Sequence, residues 1–598
     1  MGTDREASVF KIATNVLEIT DNLTIARGAH TWTLGSHNEF YGIQYTFMNA
    51  YNGRWSYGSL ANFYANKPSR IRGQYNLTDN SIANVQGNPE AEFRVVWPSA
   101  YVQDEIAFLG DKLHVTPGLR IDVPSFPDKI PTNPALTATP QFSKYTNNIG
   151  GEAYVSPRIA FNWDVRGDQS LQLRGGAGRF TGRIPFAWYA YAYENTGLKI
   201  GNVDCRPSTT SGCAGNSATV PLVTDPSQLK TLQTGVFEAN LMDNHFKLPT
   251  VNRSSLAVDY ALPGGLVATV EGLYTRSVYD VKFLNIGLKD STISAPVDGR
   301  PIFLGDPIQQ RVNPAFSSVF LLTNTSGGDR YSLTGQLRKK LSHGVQGAVA
   351  YTYGESRDVS NGIRNSPQSN WEFNQVADPR NPALTYSNFD TRHRVVANAA
   401  WQRSWAPGYT TGLSLIYTGI SGSPFTFVYS GDANRDGSGA NDLIYVPRDF
   451  ADARIVPAAG DTRTAATIWS QLDDFITSQP GLNASRGSIT GRNSGRTPWN
   501  QQVDMRLSQD LPITKRGQHA QLTLDVINFG ALLGTKLGRQ YYVPNESNYN
   551  VPTLRVTKTD ATGAPSGYSF DPIPNNEPWQ YDALNSRYQA QIGLRFIF

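Results

Sequence analysis

The sequence predicts an all-β fold, a transmembrane antiparallel up-and-down β-barrel of the outer-membrane type. Three observations support this prediction. Apolar and polar residues alternate over runs of about ten residues, which is the length that crosses a bilayer at a tilt. Tight turns alternate with long connections along the chain, and the sequence closes on an amphipathic, aromatic strand. We expect residues 1–598 to form one outer-membrane β-barrel domain.

The composition agrees with strands that carry one apolar and one polar face. Charged residues make up 17% of the chain, against about 25% in a typical soluble domain. Aromatic residues make up 11%, and there are 54 glycines. The formal net charge is only +4, and lysine and arginine are scattered, so no nucleic-acid partner is predicted. No apolar run is long enough for a transmembrane helix.

The clearest period-two pattern lies in residues 331–353. Val345, Val349 and Tyr351 share one face of a predicted strand, and Gln336 and Arg338 lie on the opposite face of the strand before it. We therefore expect the first three side chains to point outward to lipid and the other two to point into the barrel.

Similar strand pairs recur around short turns at 110–111, 166–168, 263–265, 341–344, 405–408 and 512–514. The long connections fall at about 123–153, 181–250, 286–330, 358–390, 431–498 and 530–587. Outer-membrane barrels have short periplasmic turns and long extracellular loops. This parity predicts sixteen or seventeen strands with every tight turn at one end. It also places the Arg-Gly-Asp sequence at 166–168 in the periplasm, away from an adhesion partner.

The last strand carries its apolar residues on one face. They are Tyr588, Ile592, Leu594, Phe596 and the terminal Phe598. A terminal aromatic residue on an amphipathic strand resembles the signal that the barrel assembly machinery recognises. The alternative is an ordinary closing strand.

Four segments, 101–122, 156–185, 388–401 and 431–447, together with the closing strand, resemble TonB-dependent receptors of the Oar-like branch. This resemblance implies a 22-stranded barrel in the outer membrane of a Gram-negative bacterium, surrounded by outer-membrane lipid. It also implies an N-terminal plug, through which TonB supplies energy for the uptake of a small-molecule, carbohydrate or peptide substrate.

The sequence departs from this pattern. Neither a plug, nor a TonB box, nor a signal peptide is recognisable, and the predicted strand count is about five short. We expect this chain to be an incomplete part of the barrel that does not function alone, because open strand edges are unfavourable in lipid. Energy-coupled uptake is the predicted function. The alternatives are a passive outer-membrane pore and a surface adhesion or assembly scaffold.

A calcium-type loop is the sharpest chemical motif. Oxygen-bearing side chains alternate as D-x-N-x-D-G, and the candidate ligands are Asp432, Asn434, Asp436, Ser438, Asn441 and Asp442. The twelfth position is Leu443 in place of the usual glutamate. The alternative is a polar loop rich in turn-forming residues.

Five aromatic residues cluster in a connection that we expect to be extracellular: Phe186, Trp188, Tyr189, Tyr191 and Tyr193. Their ring faces suit contact with a sugar or peptide substrate. The alternatives are an aromatic girdle at the membrane interface and packing within the loop.

The two cysteines, Cys205 and Cys213, lie in one polar segment, and we expect a disulfide between them in an oxidising compartment. Two free thiols are the alternative. The seven histidines show no ligand spacing, so no zinc site is predicted. No catalytic motif is recognisable, so neither an enzyme nor a cofactor other than calcium is expected.

Overall fold

The computed structural model describes residues 9–77, 91–145, 149–205, 220, 225, 228–232, 237–303, 311–513, 518–534, 536–545 and 549–597. The strands are β1 (Phe10–Arg27), β2 (His30–Phe47), β3 (Arg54–Ser56), β4 (Arg70–Asn76), β5 (Ala91–Trp97), β6 (Ser99–Phe108), β7 (Leu113–Asp122), β8 (Tyr154–Asp164), β9 (Leu171–Thr181), β10 (Ile200–Cys205), β11 (Phe237–Met242), β12 (Thr250–Leu262), β13 (Leu266–Asn285), β14 (Ile293–Ser294), β15 (Pro301–Ile302), β16 (Phe316–Thr325), β17 (Gly328–Ser342), β18 (Val345–Asp358), β19 (Thr385–Tyr386), β20 (His393–Ala406), β21 (Tyr409–Ile420), β22 (Pro424–Ser430), β23 (Tyr445–Val446), β24 (Ser488–Ile489), β25 (Gly495–Arg496), β26 (Asn500–Pro512), β27 (His519–Ile527), β28 (Tyr541–Tyr542), β29 (Asn550–Thr559), β30 (Pro565–Phe570), β31 (Gln580–Tyr581) and β32 (Gln589–Ile597).

The helices are short and lie between strands. They are α1 (Leu60–Tyr64), α2 (Pro134–Thr137), α3 (Pro140–Ser143), α4 (Phe186–Glu194), α5 (Leu229–Leu232), α6 (Pro367–Glu372), α7 (Phe450–Ala453), α8 (Ala465–Ser478), α9 (Pro480–Asn483) and α10 (Gly530–Leu533). None of the helices in the described part of the chain has the length and apolarity needed to span a bilayer.

One antiparallel meander dominates the fold, as the alternating pattern predicted. Its strands pair in the order β1, β2, β6, β7, β8, β9, β12, β13, β17, β18, β20, β21, β26, β27 and β32. β5 continues β6 beyond Pro98 along the same neighbour, β2. The described residues thus contain fifteen meander strands, slightly fewer than the sixteen or seventeen predicted.

The connections follow the predicted parity. Each predicted tight turn lies between paired strands, and all of these turns gather at one end, which we call the turn end. The long connections gather at the opposite, loop end. A further hairpin at Gly28-Ala29, which joins β1 to β2, was not identified from the sequence. The Arg-Gly-Asp sequence lies in the β8–β9 turn at the turn end, where Asp168 accepts a 2.9 Å hydrogen bond from the Ser170 N–H.

The meander has two outer strands in the described part of the chain. β1 pairs with β2, and β32 pairs with β27, but no described ladder joins β1 to β32. Each therefore presents a row of backbone hydrogen-bonding groups along one edge.

The sheet is strongly curled, and α4 identifies its concave side. Tyr191 of α4 contacts Tyr45 of β2, with ring centroids 5.6 Å apart. Trp188, one turn earlier, contacts Phe283 of β13 at 5.0 Å. Since β2 and β13 are far apart in the meander, a single helix reaches both only from inside the curve.

Cross-strand register then assigns the two faces. Thr275 and Arg330 are paired and both line a cavity on the concave side. Two-residue periodicity from Arg330 places Gln336 and Arg338 on the same inner face. The opposite face carries Val345, Val349 and Tyr351, as predicted. Each of these three side chains is at least 40% exposed on this outer face, where lipid would cover it.

Along the longest strands, the apolar residues switch from the outward face to the inward face. In β2, Trp32, Leu34 and Phe40 face outward, whereas Tyr41 and Tyr45, nearer the loop end, face inward. β13 changes in the same way, from outward Val270 to inward Phe283. The turn-end part of each strand meets lipid, and the loop-end part packs against folded loops.

Candidate functional site

A first apolar core fills the concave side at the loop end. The inner faces of β2 and β5 supply Ile43, Tyr45 and Phe93, all at most 2% exposed. The helix α4 lies against them, and Phe93 stacks on Tyr193 with ring centroids 4.6 Å apart. The loops therefore fold inward across the mouth of the sheet and narrow it.

The five aromatic residues predicted to contact substrate belong to this core. Trp188, Tyr189, Tyr191 and Tyr193 are at most 4% exposed, and Phe186 is partly buried. Burial raises the pKa of Tyr189 and of Tyr191 well above the usual tyrosine value. This placement favours the packing alternative, because a buried ring offers no face to a ligand. Of the five, Trp188 also lines a cavity.

That cavity has a volume of about 360 Å³ and lies beneath the loop core on the concave side. Its charged lining residues are Arg183, Arg253, Asp280, Asp329, Arg330, Arg357 and Asp358. Several already have partners within the protein. Arg330 donates from Nε to Ser356 Oγ at 3.2 Å, and Asp358 accepts a charge-assisted hydrogen bond from the buried Arg492. The result is a polar chamber with mixed charge.

A second polar cluster on the inner face was missed from the sequence. His37 Nε2 lies 3.2 Å from Glu39 Oε1, and His37 Nδ1 lies 3.5 Å from Glu18 Oε1. Within the described residues, these three form the one group of His, Cys, Asp or Glu whose ligand atoms all lie within 4.8 Å of one another. Glu39 also pairs with Arg183, which neutralises part of its charge.

The signal for this cluster was present in the sequence but depended on register. A turn at Gly28-Ala29 places Glu18 directly opposite Glu39, with His37 two residues before Glu39 in β2. Sequence spacing of histidines alone does not reveal this arrangement, because the ligands come from two strands.

A second apolar core lies in the connections that follow β21 and β27. The parallel pair β22 and β29 forms the centre of a small sheet, with β25 and β30 at its edges. The helix α8 covers it with Ile468, Leu472, Phe475 and Ile476, which are at most 1% exposed. The side chain of Thr464 caps this helix by accepting from the Thr467 N–H at 3.1 Å. These long connections are therefore folded.

The calcium-type loop borders this second core. Asp432 accepts hydrogen bonds from the N–H groups of Asp436 and Gly437, at 3.0 and 2.9 Å. Asn434 Oδ1 accepts from the same Asp436 N–H at 2.9 Å. Gly437 has φ +100°, a conformation that favours glycine and permits the sharp turn. The backbone thus wraps around the motif's own side-chain oxygens.

The remaining predicted ligands are drawn into the same loop. Asp436 accepts from the Ser438 N–H at 2.8 Å and from Asn441 Nδ2 at 2.9 Å. Asp442 accepts from the Ala433 N–H at 2.8 Å. Asp436, Ser438, Asn441 and Asp442 are buried, whereas Asp432 is exposed.

Burial leaves these carboxyl groups poorly hydrated. It raises the pKa of Asp442 to about 7, although Arg300 opposes the shift. It also raises the pKa of Asp436 well above its usual value, and repulsion from Asp442 and Asp432 adds to that shift. A cation among these groups would replace the lost hydration.

The closing strand β32 follows the outward face of the meander. Ile592 pairs with Leu524, and Leu594 pairs with Leu522. Ile592, Leu594 and Phe596 are 53–77% exposed, and Tyr588 just before the strand is 50% exposed. Phe598 lies outside the described residues, as does Cys213, so the proposed assembly contact and the proposed disulfide with Cys205 stay predictions.

Comparison with solved structures finds outer-membrane receptors and transporters at low identity. The outer membrane transporter YddB from Escherichia coli has a TM-score of 0.44 and 11% identity, covering 95% of this chain and 53% of that one. The ferric enterobactin receptor PfeA from Pseudomonas aeruginosa, in a mutant form with enterobactin, has a TM-score of 0.42 and 12% identity, covering 98% and 54%. The siderophore receptor PirA from Acinetobacter baumannii has a TM-score of 0.42 and 9% identity, covering 98% and 55%.

The chain spans about half the length of these solved structures. No functionally curated protein gives a significant match. The model of one protein family, described as an outer membrane beta barrel domain, matches residues 2–530, which is most of the chain. With the antiparallel meander and its turn and loop ends, this match shows that the chain belongs to the outer membrane beta barrel domain family and lies in the outer membrane of a Gram-negative bacterium.

Proposed function

We propose that this chain is the barrel portion of a TonB-dependent transporter, which takes up a nutrient with energy supplied through TonB. The energy coupling is inferred from the sequence resemblance of residues 101–122, 156–185, 388–401 and 431–447 to the Oar-like branch. In this proposal TonB acts through a plug domain. The turn end lies in the periplasm and the loop end outside the cell, as in outer-membrane barrels generally.

The observation that carries the proposal is the folded core across the mouth. The helix α4 contacts β2 and β13 from inside the curve, and a polar cavity lies beneath it. A passive pore needs an open aqueous path, whereas a receptor needs a covered chamber that opens after capture. The buried aromatic core therefore supports capture followed by driven release.

A scaffold function is the second candidate, and the folded connections favour it. The sheet of β22, β25, β29 and β30, with α8, forms a stable surface outside the membrane. Such a surface suits contact with another macromolecule. Uptake measurements separate the two functions.

The test is complementation of a deletion strain on a panel of labelled nutrients. We expect the complete gene to restore uptake of one nutrient class, and we expect a protonophore to abolish that uptake. Residues 1–598 expressed behind a signal peptide should not restore it, because the edges of β1 and β32 would lie open in lipid. Protonophore-resistant uptake would indicate a passive pore. If the complete gene changes the uptake of no nutrient in the panel, the scaffold function is favoured. Full energy-dependent uptake by residues 1–598 would contradict the need for a plug.

A further inference from the structure

We propose that residues 432–442 form a divalent cation site with the ligand chemistry of Ca²⁺, and that the bound ion fastens four extracellular loops together. The inference does not rest on the proposed transport function, because an ion could hold these loops together equally well in a pore or a scaffold. It rests on unpartnered buried oxygens, on the charge of the cluster and on the contacts of the loop with its neighbours.

Two buried oxygen atoms in the loop have no hydrogen-bond partner. Asp442 Oδ1 and Asn441 Oδ1 are both inaccessible to solvent and accept no hydrogen bond, and both residues are 1% exposed. An unsatisfied carboxylate oxygen in a protein interior is costly, and buried polar groups normally have partners. Two such atoms on adjacent residues of a D-x-N-x-D-G loop favour a bound cation as the further partner.

The charge of the buried groups leaves room for a divalent ion. Arg300 pairs with Asp298 at 2.7 Å, and its Nη1 atom lies 3.7 Å from Asp442 Oδ1 without a hydrogen bond. Asp442 thus shares the buried Arg300 guanidinium with Asp298, whose side chain is also buried. The carboxyl groups of Asp436 and Asp442 also lie close enough to repel each other, and a divalent cation between them would relieve that repulsion.

The candidate ligand atoms are oxygens, which Ca²⁺ prefers, but they do not converge on one position in this structure. The carboxylates of Asp432, Asp436 and Asp442 are not among the groups whose ligand atoms all lie within 4.8 Å of one another. Instead, the side-chain amides of Asn434 and Asn441 donate to Asp436, at 3.3 and 2.9 Å. The opposite atom of the Asn441 amide, Oδ1, accepts no hydrogen bond. An amide oxygen of this kind is a ligand that Ca²⁺ accepts.

Backbone carbonyls of this loop accept hydrogen bonds from three other extracellular connections. Asn434 O accepts from the Phe303 N–H at 2.8 Å, in the connection after β13. Asn441 O accepts from the Val376 N–H at 2.8 Å, in the connection after β18. Ala440 O accepts from Asn550 Nδ2 at 3.2 Å, in the connection after β27. An ion that fixes residues 432–442 therefore fixes the anchor point of all four loops.

The direct test measures Ca²⁺ binding by the complete protein, purified in detergent, with radioactive Ca²⁺ and isothermal calorimetry. Extracellular calcium modules bind with dissociation constants of about 0.1–1 mM, and we expect one site in or below this range. Asp436→Asn keeps the side-chain shape but removes one charge, so it should weaken binding about tenfold or more. Asp474→Asn is the matched control: Asp474 is exposed on α8 in the same loop, so its loss should leave binding unchanged.

A second measurement needs no variant and is independent of transport. Hydrogen exchange of the unmodified protein, with Ca²⁺ or with a chelator, should show faster exchange without Ca²⁺ at 300–303, 372–376, 432–442 and 549–551 together. Faster exchange at 432–442 alone would overturn the fastening of the loops. If the protein binds no Ca²⁺, the assignment is overturned. It is also overturned if binding is lost in Glu18→Gln and kept in Asp436→Asn, a result that would point to the Glu18, His37 and Glu39 cluster. If the complete gene fails to restore nutrient uptake while its protein binds Ca²⁺ normally, the result counts against the transport proposal only.

Discussion

Replacing Val349 with arginine tests the assignment of the lipid-facing side. Val349 lies four residues into β18 from the periplasmic turn, so it is about 14 Å along the strand. With a tilt of about 40°, this places it about 10 Å above the turn, close to the middle of an apolar band about 25 Å tall. Its side chain is 46% exposed on the outward face, where it meets lipid.

An arginine at the midplane of a β-barrel costs about 2–4 kcal/mol. This corresponds to about a 30- to 900-fold change in the folding equilibrium. Ala350→Arg is the matched control, because Ala350 is the next residue and faces the interior opposite Gln336. Its arginine remains hydrated, so we expect the free energy of unfolding to change by less than about 0.5 kcal/mol.

The assay uses the complete protein with each substitution. Urea titration in lipid bilayers gives the free energy of unfolding, with the gel mobility of the folded form as the readout. Quantitative blotting gives the amount of protein inserted in cells. Val349→Arg should lower both values, and Ala350→Arg should lower neither. Equal effects of the two substitutions, or a larger effect at Ala350, would refute the assignment of the faces.

Two further predictions concern residues outside the described part of the chain. Deleting Phe598 should lower the amount of barrel inserted in cells more than it lowers the stability of barrel refolded in detergent, whereas Leu594→Arg should lower both, because Leu594 lies on the outward face. Wild-type insertion without Phe598 would show that this residue is no assembly signal. Mass mapping under non-reducing conditions should find Cys205 joined to Cys213 in exported protein, and quantitative labelling of both as free thiols would reject the disulfide.

The sequence predicted the membrane-facing sheet well because alternation is a local property of each strand. The pattern from Val345 to Tyr351 needs no knowledge of a neighbour to separate the outward face from the inward face. The turn at 341–344 and the other short turns gave the parity of the connections in the same way. These features place the Arg-Gly-Asp turn and the long loops at opposite ends.

The folded loops were not predicted, although one signal was present. The residues Ile468, Leu472, Phe475 and Ile476 follow helical spacing, with Thr464 as a capping residue before them. The parallel pairing of β22 with β29 has no such local signal, because the partners are separated by more than a hundred residues. The aromatic run of α4 was likewise ambiguous, since burial depends on what the helix meets.

Tertiary structure alone decided which side chains share a site. Glu18 and His37 meet because a hairpin pairs β1 with β2, and Arg300 reaches Asp442 because two loops pack together. It also decided where β2 and β13 leave the lipid, since their apolar side chains change face at the point where folded loops replace the bilayer. A sequence records which face of a strand is apolar, but only packing determines whether lipid or protein covers that face.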